Sequence, residues 1–188
     1  MTTPLPLLRA LRFAADQHRF QKRKDASGSP YINHPIAVAT LLAETGGITE
    51  DVLLLAAVLH DTVEDTETTL DNLAAMFGED VASLVAEVTD DKTLPKDERK
   101  ELQVQHARAA SPRAKQLKIA DKVCNLRDVT YHPPVGWSLR RRREYFDWAE
   151  RVVAGCRGVN PALDAAFDEA LAAGRAALER TSWFRAGP

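Results

Sequence analysis

Cysteine, long apolar runs and an excess of either charge are what this sequence has least of, and each shortage removes a class of protein. The two cysteines, Cys124 and Cys156, lie far apart in a chain of 188 residues. They show neither the close paired spacing of a zinc site nor a dense disulfide framework, so a reducing cytoplasm is the expected setting. No stretch reaches the roughly 18 consecutive apolar residues of a membrane span. The opening "MTTPLPLLRALRFAADQHRF" places prolines and charges where a secretory leader needs an unbroken apolar segment. Neither export nor membrane insertion is expected from it. With 25 Lys+Arg against 27 Asp+Glu, the net charge of -2 makes no general electrostatic case for a nucleic-acid partner. Any phosphate recognition must come from a local basic cluster.

What remains is rich in Ala and Leu, poor in β-branched runs, and carries apolar residues at spacings of three and four. That pattern predicts an all-α fold. One domain is expected, since no repeat, heptad run or linker divides the chain and its length suffices for a sizeable core. Helices are expected at about 5–22, 35–45, 50–62, 70–77, 79–89, 96–109, 112–130, 138–155 and 160–181. Ser111-Pro112 reads as a cap followed by a first-turn proline, and Asp51 and Pro35 mark two further helix starts. The loops richest in turn residues are "KDASGSPYIN" at 24–33 and "YHPPVGW" at 131–137.

The chemistry concentrates in "VLHDTVEDTETT", residues 58–69, where an apolar helix ends in a histidine and three carboxylates. On a continuous helix, taking His60 as origin, Asp61 lies at roughly 100°, Glu64 at 40° and Asp65 at 140°, all on one side. His60 and Asp61 offer an imidazole nitrogen and a carboxylate oxygen to one divalent metal. Two ligands hold a metal poorly, and His34 in "YINHP" and Asp121 in "KIADKVCNL" are candidates to complete the set. Two neutral histidines with two carboxylates suit Mn²⁺, Fe²⁺ or Mg²⁺ better than a closed structural zinc site. An open position on such a metal acidifies a water that can attack phosphorus. Glu64, one turn from the ligands, is placed to act as base on that water or to orient it, with Asp65 assisting. Asn125 lies one turn beyond Asp121 and points the same way.

The spread of His34, His60-Asp61 and Asp121 resembles the HD-domain metal phosphohydrolases. Together with "HRFQKRKD", "GSPYINHPIAVA", "VLHDTVEDTETTL", "FGEDVASLVAEVTDDKTLPK", "KIADKVCNLRD" and "EYFDWA", it resembles the RelA/SpoT-type small alarmone hydrolases over roughly residues 10–150. The resemblance implies an all-α HD-domain bundle and a Mn²⁺-dependent enzyme. Its reaction would remove the 3′-pyrophosphate of guanosine tetra- or pentaphosphate to give GDP or GTP. It implies His34, His60, Asp61 and Asp121 as metal ligands and Glu64 and Asp65 as the catalytic acids. For substrate contacts it implies Arg23, Lys24, Asn125, Arg141 and Tyr145, with Lys96 as a looser phosphate contact. Cys124 departs from the residues usual before the Asn and is not assigned to the metal. The chain has no room for synthetase or regulatory regions, so hydrolysis alone is expected.

Two other readings stand beside this one. A phosphatase acting on another phosphorylated nucleotide, such as NADPH, would use the same metal and acids. A non-catalytic HD-type nucleotide sensor would have no use for Glu64 and Asp65 beside the metal. Trp137, Phe146 and Trp148 are expected in the core, and His18, His106 and His132 as structural or exposed.

Overall fold

A computed structural model describes residues 4–185, and among them it contains ten α-helices joined by short connections. These are α1 (Leu5–Gln17), α2 (Asn33–Glu44), α3 (Asp51–Leu59), α4 (Thr62–Asp65), α5 (Leu70–Phe77), α6 (Glu79–Val88), α7 (Lys96–Ala107), α8 (Pro112–Tyr131), α9 (Leu139–Ala154) and α10 (Pro161–Arg185). The all-α expectation holds. The boundary residues also behave as their chemistry requires. Ser111 Oγ accepts from the Ala114 backbone N–H, and Thr69 with Asn72 forms a reciprocal capping box at the start of α5.

Helix α3 is the centre of the molecule. Leu53 and every residue from Leu55 to Leu59 are buried, and α1, α2, α6 and α8 pack around it. A helix apolar on every side belongs inside a bundle. One continuous apolar cluster runs from Ala10 in α1 to Leu178 in α10. The long helices α8 and α10 close the far side, where Gly174 lets α10 approach the Phe146 ring. A β-carbon there would lie 2.7 Å from Phe146 Cζ and 2.9 Å from Thr130 Oγ1. Gly174→Ala should therefore destabilise the protein by about 1–3 kcal/mol through overpacking. That outweighs the ~1 kcal/mol that alanine gains over glycine in a helix. Urea unfolding checks it, and a midpoint raised by the substitution would refute the close approach.

Two expected helices end early, and both departures shape the cleft. The first stops at Gln17 instead of continuing to residue 22. The His18 ring, buried against Tyr31, engages Gln21 Oε1 at 2.7 Å, and the chain turns into a tight loop. The third breaks at His60-Asp61. There His60 Nδ1 donates to the Ala57 carbonyl at 2.7 Å and Thr62 Oγ1 to that of Leu59 at 2.7 Å. These side chains compete for carbonyls that a regular helix would use for its own backbone.

Candidate active site

Four helices bring the predicted donors to one place. His34 sits in the first turn of α2, His60 and Asp61 in the turn between α3 and α4, and Asp121 in the middle of α8. One donor atom from each of His34, His60 and Asp121 lies within 4.8 Å of the others. Asp61 Oδ2 adds a fourth, 3.2 Å from His60 Nε2 and 3.8 Å from His34 Nε2. His60 Nδ1 carries its proton toward the Ala57 carbonyl, which leaves Nε2 as the lone-pair nitrogen. That Nε2 is buried and has no hydrogen-bond partner. A buried, unpaired imidazole nitrogen among carboxylate oxygens is what a divalent cation satisfies, so the donor set fits a metal.

The neighbours fix the orientation of these ligands. Tyr31 donates its hydroxyl to Asp61 Oδ2 at 2.7 Å. Asp121 accepts from Asn125 Nδ2 at 2.6 Å and from Lys122 Nζ at 2.8 Å, and lies 3.0 Å from His34 Nε2. Burial alone would push the Asp121 carboxyl up, but Lys122 and the hydrogen bond to His34 hold it well below the usual carboxylate range. Lys122 is itself buried and is held above the ordinary lysine value, because Asp121 outweighs its desolvation.

Glu64 and Asp65 lie on α4 beside the donors but in different surroundings. Glu64 is pushed up to about 7, first by burial and then by Asp90, Asp61 and Asp65. Lys92 and Arg99 each stand 3.8 Å from its Oε1. Asp65 is held below its ordinary value: burial opposes ionisation, but hydrogen bonds from Lys92 and Gln21 outweigh it. A raised carboxyl has a stability consequence in the metal-free protein. The protonated form of Glu64 stabilises the fold fully below about pH 4.5, and the effect is lost as pH rises through about 7. The loss is on the order of 3 kcal/mol. Melting wild type and Glu64→Gln in chelator across that interval should show the wild type losing stability relative to the variant. Parallel curves would sink the assignment.

The basic pair comes from the connection between α1 and α2. Lys22 and Pro30 form an isolated antiparallel bridge, Arg23 N–H donates to Ser29 O at 2.8 Å, and Gly28 takes a positive φ of 60° at the tip. The Asp25 carboxyl, lowered to about 2 chiefly by Ser29, ties the loop together. Arg23 is thereby aimed inward, donating to Asn125 Oδ1 at 3.2 Å and paired with Asp128, with its guanidinium 5.5 Å from the Tyr31 ring centre. Lys24 remains exposed, and its carbonyl accepts from Val135 N–H at 2.8 Å, joining the two turn-rich loops.

His34 lines both of two adjoining lobes, while His60, Asp61 and Asp121 line the second. The first, about 900 Å³, runs between α2 and α8 past Asn33, Thr40, Asn125 and Asp128. The second, about 660 Å³, is bounded by α7, α8 and α9 and is lined by nine cationic side chains against six carboxylates. Arg23, Lys24, Asn125 and Tyr145 line both lobes, while Lys96 and Arg141 line the second. All twelve residues singled out from the sequence thus border the donors or this cleft. Arg141 stacks 4.4 Å from the Trp137 ring centre, and Trp137 lies 5.6 Å from Tyr145. Trp137 and Trp148 are therefore cleft walls as well as packing residues, whereas Phe146 is core as expected.

Sequence reasoning missed Tyr31, Lys92, Arg99, Lys118 and Lys122. Tyr31 adjoins a motif, and its position in "YINHP" was an available signal. Lys118 and Lys122 flank Asp121 within "KIADKVCNLRD", so their spacing was a signal too, whereas Lys92 and Arg99 reach Glu64 only through packing.

A cleft of this kind, with two histidines and two aspartates drawn from α2, the α3–α4 turn and α8, suits an HD-type metal centre, and the chain belongs to the HD domain family, whose pattern matches residues 10–145. The family implies a divalent metal, which the donor set fits. Among its relatives is the human guanosine-3′,5′-bis(diphosphate) 3′-pyrophosphohydrolase MESH1, 58% identical over 160 residues, covering 85% of this chain and 89% of that protein. The Xenopus tropicalis protein of the same name is 54% identical over 162 residues, covering 86% and 90%. A solved structure described as a metazoan ortholog of SpoT that hydrolyzes ppGpp superimposes with a TM-score of 0.89. It is 45% identical, with 92% of this chain and 97% of that one covered. Among the described residues no helix is long and apolar enough to cross a membrane.

Proposed function

We propose that this protein is a metal-dependent 3′-pyrophosphohydrolase of guanosine tetra- and pentaphosphate, acting in the cytoplasm through one domain. The observation that carries this reading is a His-His-Asp-Asp donor set with Glu64, a carboxyl poised near neutrality, beside it on the wall of a cation-rich lobe. His34, His60, Asp61 and Asp121 hold the ion, and Mn²⁺ suits their mixed nitrogen and oxygen chemistry. Bound there, such an ion would acidify a water and offset charge on phosphate oxygens.

The protein's own groups do the rest. Glu64 takes the proton of the attacking water, since a base with its affinity near the working pH is the effective one. Asp65, kept ionised by Lys92 and Gln21, orients that water. Attack at the inner phosphorus of the 3′-diphosphate breaks its bond to the ribose 3′-oxygen. Pyrophosphate leaves with the water's oxygen, and the 3′-oxygen takes up a proton. Arg23, braced by Asp128 and Asn125, presents a planar guanidinium to the purine. Asn125 bonds the nucleoside, Tyr145 the sugar or phosphate, and Lys24, Lys96 and Arg141 neutralise the phosphates.

Incubating the Mn²⁺-loaded protein with guanosine tetraphosphate, pentaphosphate and NADPH, and identifying the products, tests this. Pyrophosphate with GDP or GTP is expected. Orthophosphate released from NADPH alone would make the protein a nucleotide phosphatase, and no turnover of any would make it a sensor.

A further inference from the structure

Lysine 118 has no task in the chemistry above, yet its placement is unusual. It lies on α8 three residues before Asp121 and four before Lys122, so the three share one helix face. Lys122 is engaged by Asp121 at 2.8 Å. Lys118 has no hydrogen bond or ion pair with any described residue, although its side chain is half-buried and lines the second lobe. Burial and the neighbouring Lys122 both disfavour its charge. Of the carboxylates lining that lobe, Asp90 and Asp121 favour its charge, but Asp90 accepts from Gln103, and Asp121 from Lys122 and Asn125. Two cations stand one turn apart beside Asp121, and only Lys122 is bonded to it, so the Lys118 ammonium lines the lobe with no carboxylate in direct contact among the described residues.

One turn of helix is about 5.4 Å along the axis. A phosphate held at Asp121's metal and a second phosphate joined to it can therefore reach from the donor set to Lys118. We propose that Lys118 is the subsite for the outer phosphate of the 3′-diphosphate, a residue that selects pyrophosphate release over orthophosphate release. This rests on the function proposed above. Two other cations of the lobe lie against aromatic rings, Lys100 over Trp148 at 4.9 Å and Arg141 over Trp137 at 4.4 Å.

The test compares wild type, Lys118→Met, which keeps the buried stem, and Lys118→Arg, which keeps the charge. Calorimetry on the Mn²⁺-loaded proteins should show pyrophosphate binding more tightly than orthophosphate. Lys118→Met should weaken pyrophosphate by about tenfold to a hundredfold, the range of a lost charge-assisted hydrogen bond, and Lys118→Arg should restore most of it. In turnover, the ratio of kcat/KM for the 3′-diphosphate over the matching 3′-monophosphate should fall by a similar factor in Lys118→Met. Equal losses for pyrophosphate and orthophosphate, or an unchanged ratio with an unchanged melting temperature, would overturn the subsite. If wild type released no pyrophosphate from any guanosine substrate, the proposed function would fail, while the calorimetric comparison would still decide the role of Lys118.

Discussion

Asp121→Asn is expected to lower turnover by at least about three decades and to reduce bound metal to well below one ion per chain. Removing a ligand forfeits several kcal/mol of charge stabilisation at the reacting phosphate, and about 4 kcal/mol is a thousandfold in rate. The same substitution should destabilise the fold by about 3–5 kcal/mol, because it leaves Lys122 buried without its counterion. The two effects separate in the double variant Asp121→Asn with Lys122→Met. Replacing both members of a buried pair with uncharged groups is often neutral for stability. The double variant should therefore regain most of the melting temperature and none of the activity. Metal content, melting and turnover measured together check this, and a single variant that kept its metal and most of its turnover would remove Asp121 from the donor set.

Glu64→Gln should cost about 10²–10⁴ in kcat while leaving metal content unchanged, the range of a lost general base. Asp65→Asn should cost less. The difference follows from their partners: Glu64 is raised to about 7 by burial and neighbouring acids, whereas Asp65 is held ionised by Lys92 and Gln21 and is the weaker base. Glu64→Gln should also flatten the acid limb of the kcat/KM profile. A larger loss from Asp65→Asn, with the acid limb kept in Glu64→Gln, would exchange the two roles.

Much of the site was legible because its signals are local. His60-Asp61 and Glu64-Asp65 fall within one short segment, and Asp121 and Asn125 are one helical turn apart. Spacing alone groups them. The idealised helix through residue 65 was straighter than the real one, yet Asp61 keeps right-handed helical dihedrals across the break, so the four groups still face one side. The expected extension of α1 to residue 22 failed for a different reason. The apolar spacing near His18 and Phe20 matches a helix, but Phe20 is exposed and His18 is drawn against Tyr31, a contact that only the folded loop supplies.

The roles of Lys92, Arg99 and Asp90 had no comparable signal. They reach Glu64 from the α6–α7 connection and α7, and nothing in their own segments distinguishes them from solvated charges. Tyr31 and Asp128 likewise act on residues about 30 and 105 positions away.

By itself the sequence determined the helical class and most helix limits, which depend on residues within a few positions of one another, and it marked His34, His60, Asp61, Glu64, Asp65 and Asp121 as candidates through the motifs that carry them. Only the tertiary structure decided which acid is poised near neutrality, where Arg23 points, and that Lys118 lines the cleft with no carboxylate bonded to it. Those properties are set by burial and by charges from distant segments, and both exist only once the helices have packed around α3.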